Sequence, residues 1–90
     1  MFVNKQWILD CWHDKIYNKT SKINCVQWVD DEKKLFLCFN SAYSKDFKEF
    51  LQTMKPYMDN GDINIEIIYN LFNIPKSRNT TLIISFLKDY

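Results

Sequence analysis

Ile63-Asn64-Ile65-Glu66-Ile67 and Thr80-Thr81-Leu82-Ile83-Ile84-Ser85-Phe86 are the stretches on which the fold of this chain turns. The first alternates apolar and polar residues with a period of two, and the second is rich in β-branched residues. Together they read as two strands joined through Asn73 to Asn79. The same third of the chain supports a helical reading. Ile63, Ile67, Ile68, Leu71 and Ile74 make one broad helical face, and Leu82, Ile83, Phe86, Leu87 and Tyr90 make another. Local propensity tips the balance toward strands.

Upstream, the periodicities are cleaner. Phe47, Phe50, Leu51, Met54 and Met58 recur as a helical stripe after Ser44, with Asp46 in the first turn. Pro56 kinks the last turn or ends it, and Asn60-Gly61 closes the segment. Before it, Ile23 to Asn40 reads as a hairpin around the polar loop Asp30-Asp31-Glu32-Lys33. A loop of that length sets Trp28 opposite Leu35, Val26 opposite Leu37 and Cys25 opposite Cys38, which puts Val26, Trp28, Leu35, Leu37 and Phe39 on one core-facing side. The central stripe should pack over that side. At the start, Asn4 can cap a helix on which Trp7, Ile8, Cys11, Trp12 and Ile16 share a face, with Leu9 as the misfit and an end near Asn18. The expected architecture is a small α+β domain: N-terminal helix, β-hairpin, central amphipathic helix, then either a second hairpin or two further helices. With a second hairpin the order is αββαββ, a four-stranded antiparallel sheet covered by helices, although no repeat in the sequence marks that symmetry.

Ninety residues suit one domain, taken here as residues 1–90, and 47% hydrophobic residues suit a globular chain. A formal net charge of +1 gives no whole-molecule footprint for nucleic acid or an anionic membrane. No apolar run is long enough to span a bilayer and the first residues lack a signal-peptide pattern, so the expectation is a cytoplasmic protein with no membrane partner. Cys11, Cys25 and Cys38 cannot all pair within one chain and are read as reduced thiols; Cys25 and Cys38 face each other if the hairpin register holds. In that setting the glycosylation patterns at Asn18 and Asn79 are coincidental. Lysine supplies nearly all the positive charge, Arg78 being the only arginine. With the heavy use of Asn and Ile, this points to an A/T-rich genome.

Chemistry-bearing residues are sparse. His13, the only histidine, follows Cys11 by two positions, and on a helix those side chains diverge by about 200°, which separates thiol from imidazole. His13 and the three cysteines do not show the close pairing of zinc ligands, so no metal or other cofactor is expected. Asp30, Asp31 and Glu32 read as a solvated turn, since catalytic carboxylate pairs face a cleft from different elements. One glycine cannot build a phosphate-binding loop.

Two stretches resemble known families. Val3-Asn4-Lys5-Gln6-Trp7-Ile8-Leu9-Asp10-Cys11 resembles the last helix of a BRCT repeat, where such a Trp and Cys pack into the core beneath a strand. There the element closes the domain, whereas here it stands at the start of the sequence, so a whole BRCT fold is not expected. Ile65 to Ser77 resembles the first helix and turn of a helix-turn-helix, which implies that Lys76, Ser77, Arg78 and Asn79 begin a recognition helix presented to DNA. Tyr69 stands where that motif takes a small residue, and Asn79 where it takes an apolar one.

Aromatic residues make up 17% of the chain, more than one small core obviously needs. The expectation is therefore a non-enzymatic protein-interaction module that acts by contact with a host or cellular protein. Composition and size point to a virus- or mobile-element-encoded inhibitor of a host factor, with an anti-defence role as one form of it. Trp12, Tyr17, Tyr43 and Tyr57 are the expected exposed anchors, Trp12 first because it lies at the edge of its helix stripe. Trp7 and Tyr90 are further candidates. The alternative is a small nucleic-acid-binding regulator using Lys76, Ser77 and Arg78. A cysteine-dependent enzyme ranks third.

Overall fold

The computed structural model describes residues 4–15, 25–40, 44–71 and 78–88, and in it both ambiguous segments are strands. The elements run α1 (Lys5–Lys15), β1 (Cys25–Val29), β2 (Lys34–Asn40), α2 (Ser44–Asp59), β3 (Ile63–Tyr69) and β4 (Asn79–Phe86). This is the αββαββ order, and the alternative of two further helices is set aside.

Local chemistry explains where elements start and stop. Asn4 is the N-cap of α1: its Oδ1 accepts the backbone N–H of Trp7 at 2.8 Å, satisfying a donor that the first helical turn leaves open. At the other end of α2, Asp62 N donates to Tyr57 O at 2.9 Å and Gly61 N to Met58 O at 3.1 Å. This is the Schellman pattern, and it needs the left-handed φ of +76° that Gly61 supplies. Pro56 does not end α2, which continues to Asp59.

The four strands form one antiparallel sheet in the order β1-β2-β4-β3. The first hairpin has the expected register, with Cys25 opposite Cys38, Val26 opposite Leu37 and Trp28 opposite Leu35. Directly opposed residues in an antiparallel ladder have Cα atoms about 4.5 to 5.5 Å apart, within the reach of a disulfide bridge. The loop Asp30–Lys33 reverses the chain through a Lys33 N to Asp30 O bond of 3.2 Å, with Lys33 in the left-handed region.

Both helices cover the same side of the sheet. Ile8 and Trp12 of α1, Phe47, Phe50 and Met54 of α2, and the inward residues Leu35, Leu37, Phe39, Ile63, Leu82, Ile84 and Phe86 form one buried cluster. Trp12 stands edge-on to Phe39 at 5.5 Å and to Phe50 at 5.8 Å, while Trp7 meets Tyr57 at 5.0 Å. These contacts make the helices antiparallel. With β2 and β4 central and antiparallel, the strand order is symmetric about the seam between them, and each helix-hairpin half contributes one edge strand.

The central helix packs as its stripe predicts, except that Leu51 and Met58 are half-buried. Two expectations are corrected. Val26 has the right parity for the core but is 40% exposed, because it lies on an edge strand beyond the reach of α2. Leu9, the misfit of its stripe, is partly buried against the core cluster.

Candidate functional site

The two edges of the sheet differ. At β1 the apolar side chain is already occupied: Trp28 stacks edge-on with Phe86 at 5.6 Å, and the ammonium of Lys5 lies 4.7 Å from its ring centroid. The indole N–H donates to Asp30 Oδ1 at 3.2 Å. That hydrogen bond, followed by the charge of Lys33, holds the Asp30 carboxyl below the ordinary aspartate value.

At β3 the corresponding position is open. A groove of about 270 Å³ runs between α2 and the edge strand, with Leu51, Met58, Ile65 and Ile67 as its apolar lining and Gln52 and Lys55 at its rim. Residues three and four apart on a helix share a face, which aligns Leu51, Lys55 and Met58 along one wall. Lys55 and Asp59 form an exposed ion pair at 3.2 Å, so the rim carries little net charge.

Hydrogen-bond parity fixes what the edge of β3 presents. Leu87 N donates to Asp62 O at 3.0 Å and Asn70 N to Asn79 O at 2.7 Å. Even-numbered residues of this strand therefore point their backbone groups at β4, and the odd-numbered residues Ile63, Ile65, Ile67 and Tyr69 point theirs outward. β3 pairs only with β4 among the described residues, so that outer row is open. The register from Ile63 opposite Phe86 to Tyr69 opposite Thr80 is unbroken by a bulge, and the strand contains neither Lys nor Pro. Its one charged side chain is Glu66, exposed on the face away from the helices.

A second cleft, of about 510 Å³, lies at the end of the sheet and is lined by Phe39, Phe47, Lys48, Tyr69, Arg78 and Thr80 among others. Charge is unbalanced there. Lys33, Lys34, Lys55 and Lys88 have carboxylate partners in Asp30, Glu32, Asp59 and Asp62, and Lys5 lies over Trp28. Lys48 of α2 and Arg78 before β4, which line the cleft, have no such partner among the described residues.

Of the expected anchors, Trp12 is corrected outright: it is completely buried. Its position at the edge of the α1 stripe is the position that faces Phe39 and Phe50 once α2 packs alongside. Tyr57 is half-buried against Trp7, and Trp7 itself is partly buried. Tyr17, Tyr43 and Tyr90 lie outside the described residues, as do Lys76 and Ser77. Arg78 is exposed and lines the second cleft. The helix that the helix-turn-helix resemblance implies over Ile65 and following residues is the strand β3. The opening helix that resembles a BRCT element is formed, with Trp7 and Cys11 both partly buried against the core. Cys11 packs inward and His13 is exposed. Among the described residues no three His, Cys, Asp or Glu side chains gather as a metal site, and no helix is long and apolar enough to cross a membrane.

Sequence reasoning missed the groove. Ile65, Ile67, Leu51 and Met58 were legible as apolar positions, but nothing in the pattern distinguished a groove wall from a sealed core. No family model, curated protein or solved structure matches the chain.

Proposed function

We propose that this protein is a non-enzymatic interaction module that binds another protein through the groove between α2 and β3. The observation that carries this reading is the contrast between the two edges. The first half of the fold fills its edge position with Trp28 under Lys5, whereas the second half leaves an apolar groove beside an open strand. An edge strand of this length without bulge, Pro or Lys is one that proteins normally protect unless it is used. A cytoplasmic inhibitor of a host factor, virus- or mobile-element-encoded, is the form of this activity that the Lys-, Asn- and Ile-rich composition favours.

A second reading has its own observation. Lys48 and Arg78, without a carboxylate partner among the described residues, line one cleft with the exposed Tyr69 and so combine cations with an aromatic platform, the elements of a single-strand nucleic-acid contact. Photo-crosslinkers placed at Gln52 on the groove and at Lys48 in the second cleft separate the two. The proposed function gives a saturable protein adduct from position 52 that persists as salt rises. A nucleic-acid adduct from position 48, lost steeply with salt and with none from position 52, overturns it.

A further inference from the structure

We infer that the groove is completed by strand addition: it takes an extended segment of a partner protein with the pattern apolar-basic-apolar opposite Ile65, Glu66 and Ile67. This rests on the proposed protein-binding role and specifies its partner.

The argument starts from parity. Ile65 and Ile67 point their backbone N–H and C=O groups out of the sheet edge, and the same two residues line the groove with their side chains. An incoming strand that hydrogen-bonds to that edge sets its own residues directly opposite them, and opposed residues point to the same face of a sheet. Two side chains of the guest, at positions i and i+2, are thereby directed toward Leu51 and Met58 of α2. Those places call for apolar groups.

The residue between them falls on the other face, beside Glu66. Glu66 is exposed, and no ion pair or hydrogen bond engages its carboxylate among the described residues. A lysine or arginine opposite it supplies a cross-strand charge pair, while an acidic residue there is repelled. The backbone requirement makes the partner extended, the groove makes alternate positions apolar, and Glu66 makes the intervening one basic.

The same charge discriminates against a second copy of this chain. When β3 pairs antiparallel with itself in the three centred registers, Glu66 meets Glu66, Asn64 or Ile68, and none of these is cationic.

The inference is tested with synthetic peptides titrated into the intact protein and followed by amide NMR and hydrogen exchange. The central peptide carries valine-lysine-valine flanked by threonines; the comparison peptides replace lysine by glutamate or methylate the backbone nitrogens of the valines. The first should bind and slow exchange of the Ile65 and Ile67 amides, and methylation should weaken it by about tenfold or more because paired edge groups lose their partners. The glutamate peptide should bind several-fold more weakly, and Glu66→Lys, a surface change, should reverse that order. Unchanged affinity on methylation, an order that Glu66→Lys leaves as it was, or protection appearing only at β1 overturns the inference. So does no binding of any peptide up to about 1 mM, or a concentration-dependent dimer that protects the same amides. In each case a protein adduct at position 52 still stands if the broader role is right, which separates the two failures.

Discussion

Trp12 and Thr81 show how much a single side chain depends on its neighbours here. Trp12 is fully buried between Phe39 and Phe50, and its Nε1–H has no hydrogen-bond partner among the described residues. Its contribution is therefore packing. Trp12→Ala should destabilise the fold by about 3 to 5 kcal/mol, read as a lowered urea midpoint, and a midpoint within error of the parent would contradict the core placement. Thr81, on the sheet face away from the helices, is 2% exposed, and its Oγ1 has no hydrogen-bond partner among the described residues. Thr81→Val keeps the β-branched shape and removes the stranded hydroxyl. It should raise stability by about 1 kcal/mol, visible as a higher melting temperature. At this scale sequence reading identified apolar residues well but not their exposure: Trp12 and Val26 exchanged the environments expected of them.

Element boundaries were more legible, because they depend on local groups. Asn4 as a cap, Gly61 after α2 and the four-residue hairpin loop each follow from geometry within a few residues. The open space around Gly61 makes this a clean test, since an added Cβ would meet nothing within 4 Å. Gly61→Ala should cost about 1 kcal/mol through its positive φ alone, measured by chemical denaturation. A neutral result would mean that the Schellman turn relaxes without loss. β3 and β4 were the ambiguous elements, since the same isoleucines satisfy a period of two and a broad helical face. The choice depends on what they pack against: β4 inserts between β2 and β3 and has bonding partners on both sides, which a helix there would forfeit.

The whole molecule is tied together by a few surface charges as well as by its core. Lys88, just past β4, reaches back to Asp62 at 2.7 Å and to Asn60 O at 3.3 Å, linking the end of the chain's last strand to the turn after α2. The hydrogen bond from Lys88, then that from Asn60, lowers the Asp62 carboxyl below the ordinary aspartate value of 3.8. Asp30 is shifted the same way. A depressed folded-state value stabilises the fold above the unfolded value and loses that contribution as pH falls through the folded one. The melting temperature should therefore decline as pH drops below about 4, and Asp62→Asn together with Asp30→Asn should flatten that decline while lowering stability slightly at neutral pH. An unchanged acid slope in the double variant would show that other carboxylates govern it.

What the sequence determined by itself is whatever nearest neighbours along the chain decide: two capped helices, a hairpin with its register, an α+β composition and a shortage of chemistry-bearing side chains. Only the tertiary structure decided which edge is open among the described residues, that Trp12 is core, and that Lys48 and Arg78 line one cleft with Tyr69. The physical reason is that backbone caps and loop lengths act over a few residues. Exposure, grooves and charge compensation instead arise between segments distant in the chain, where α2 meets β3 and where β2 and β4 join the two halves.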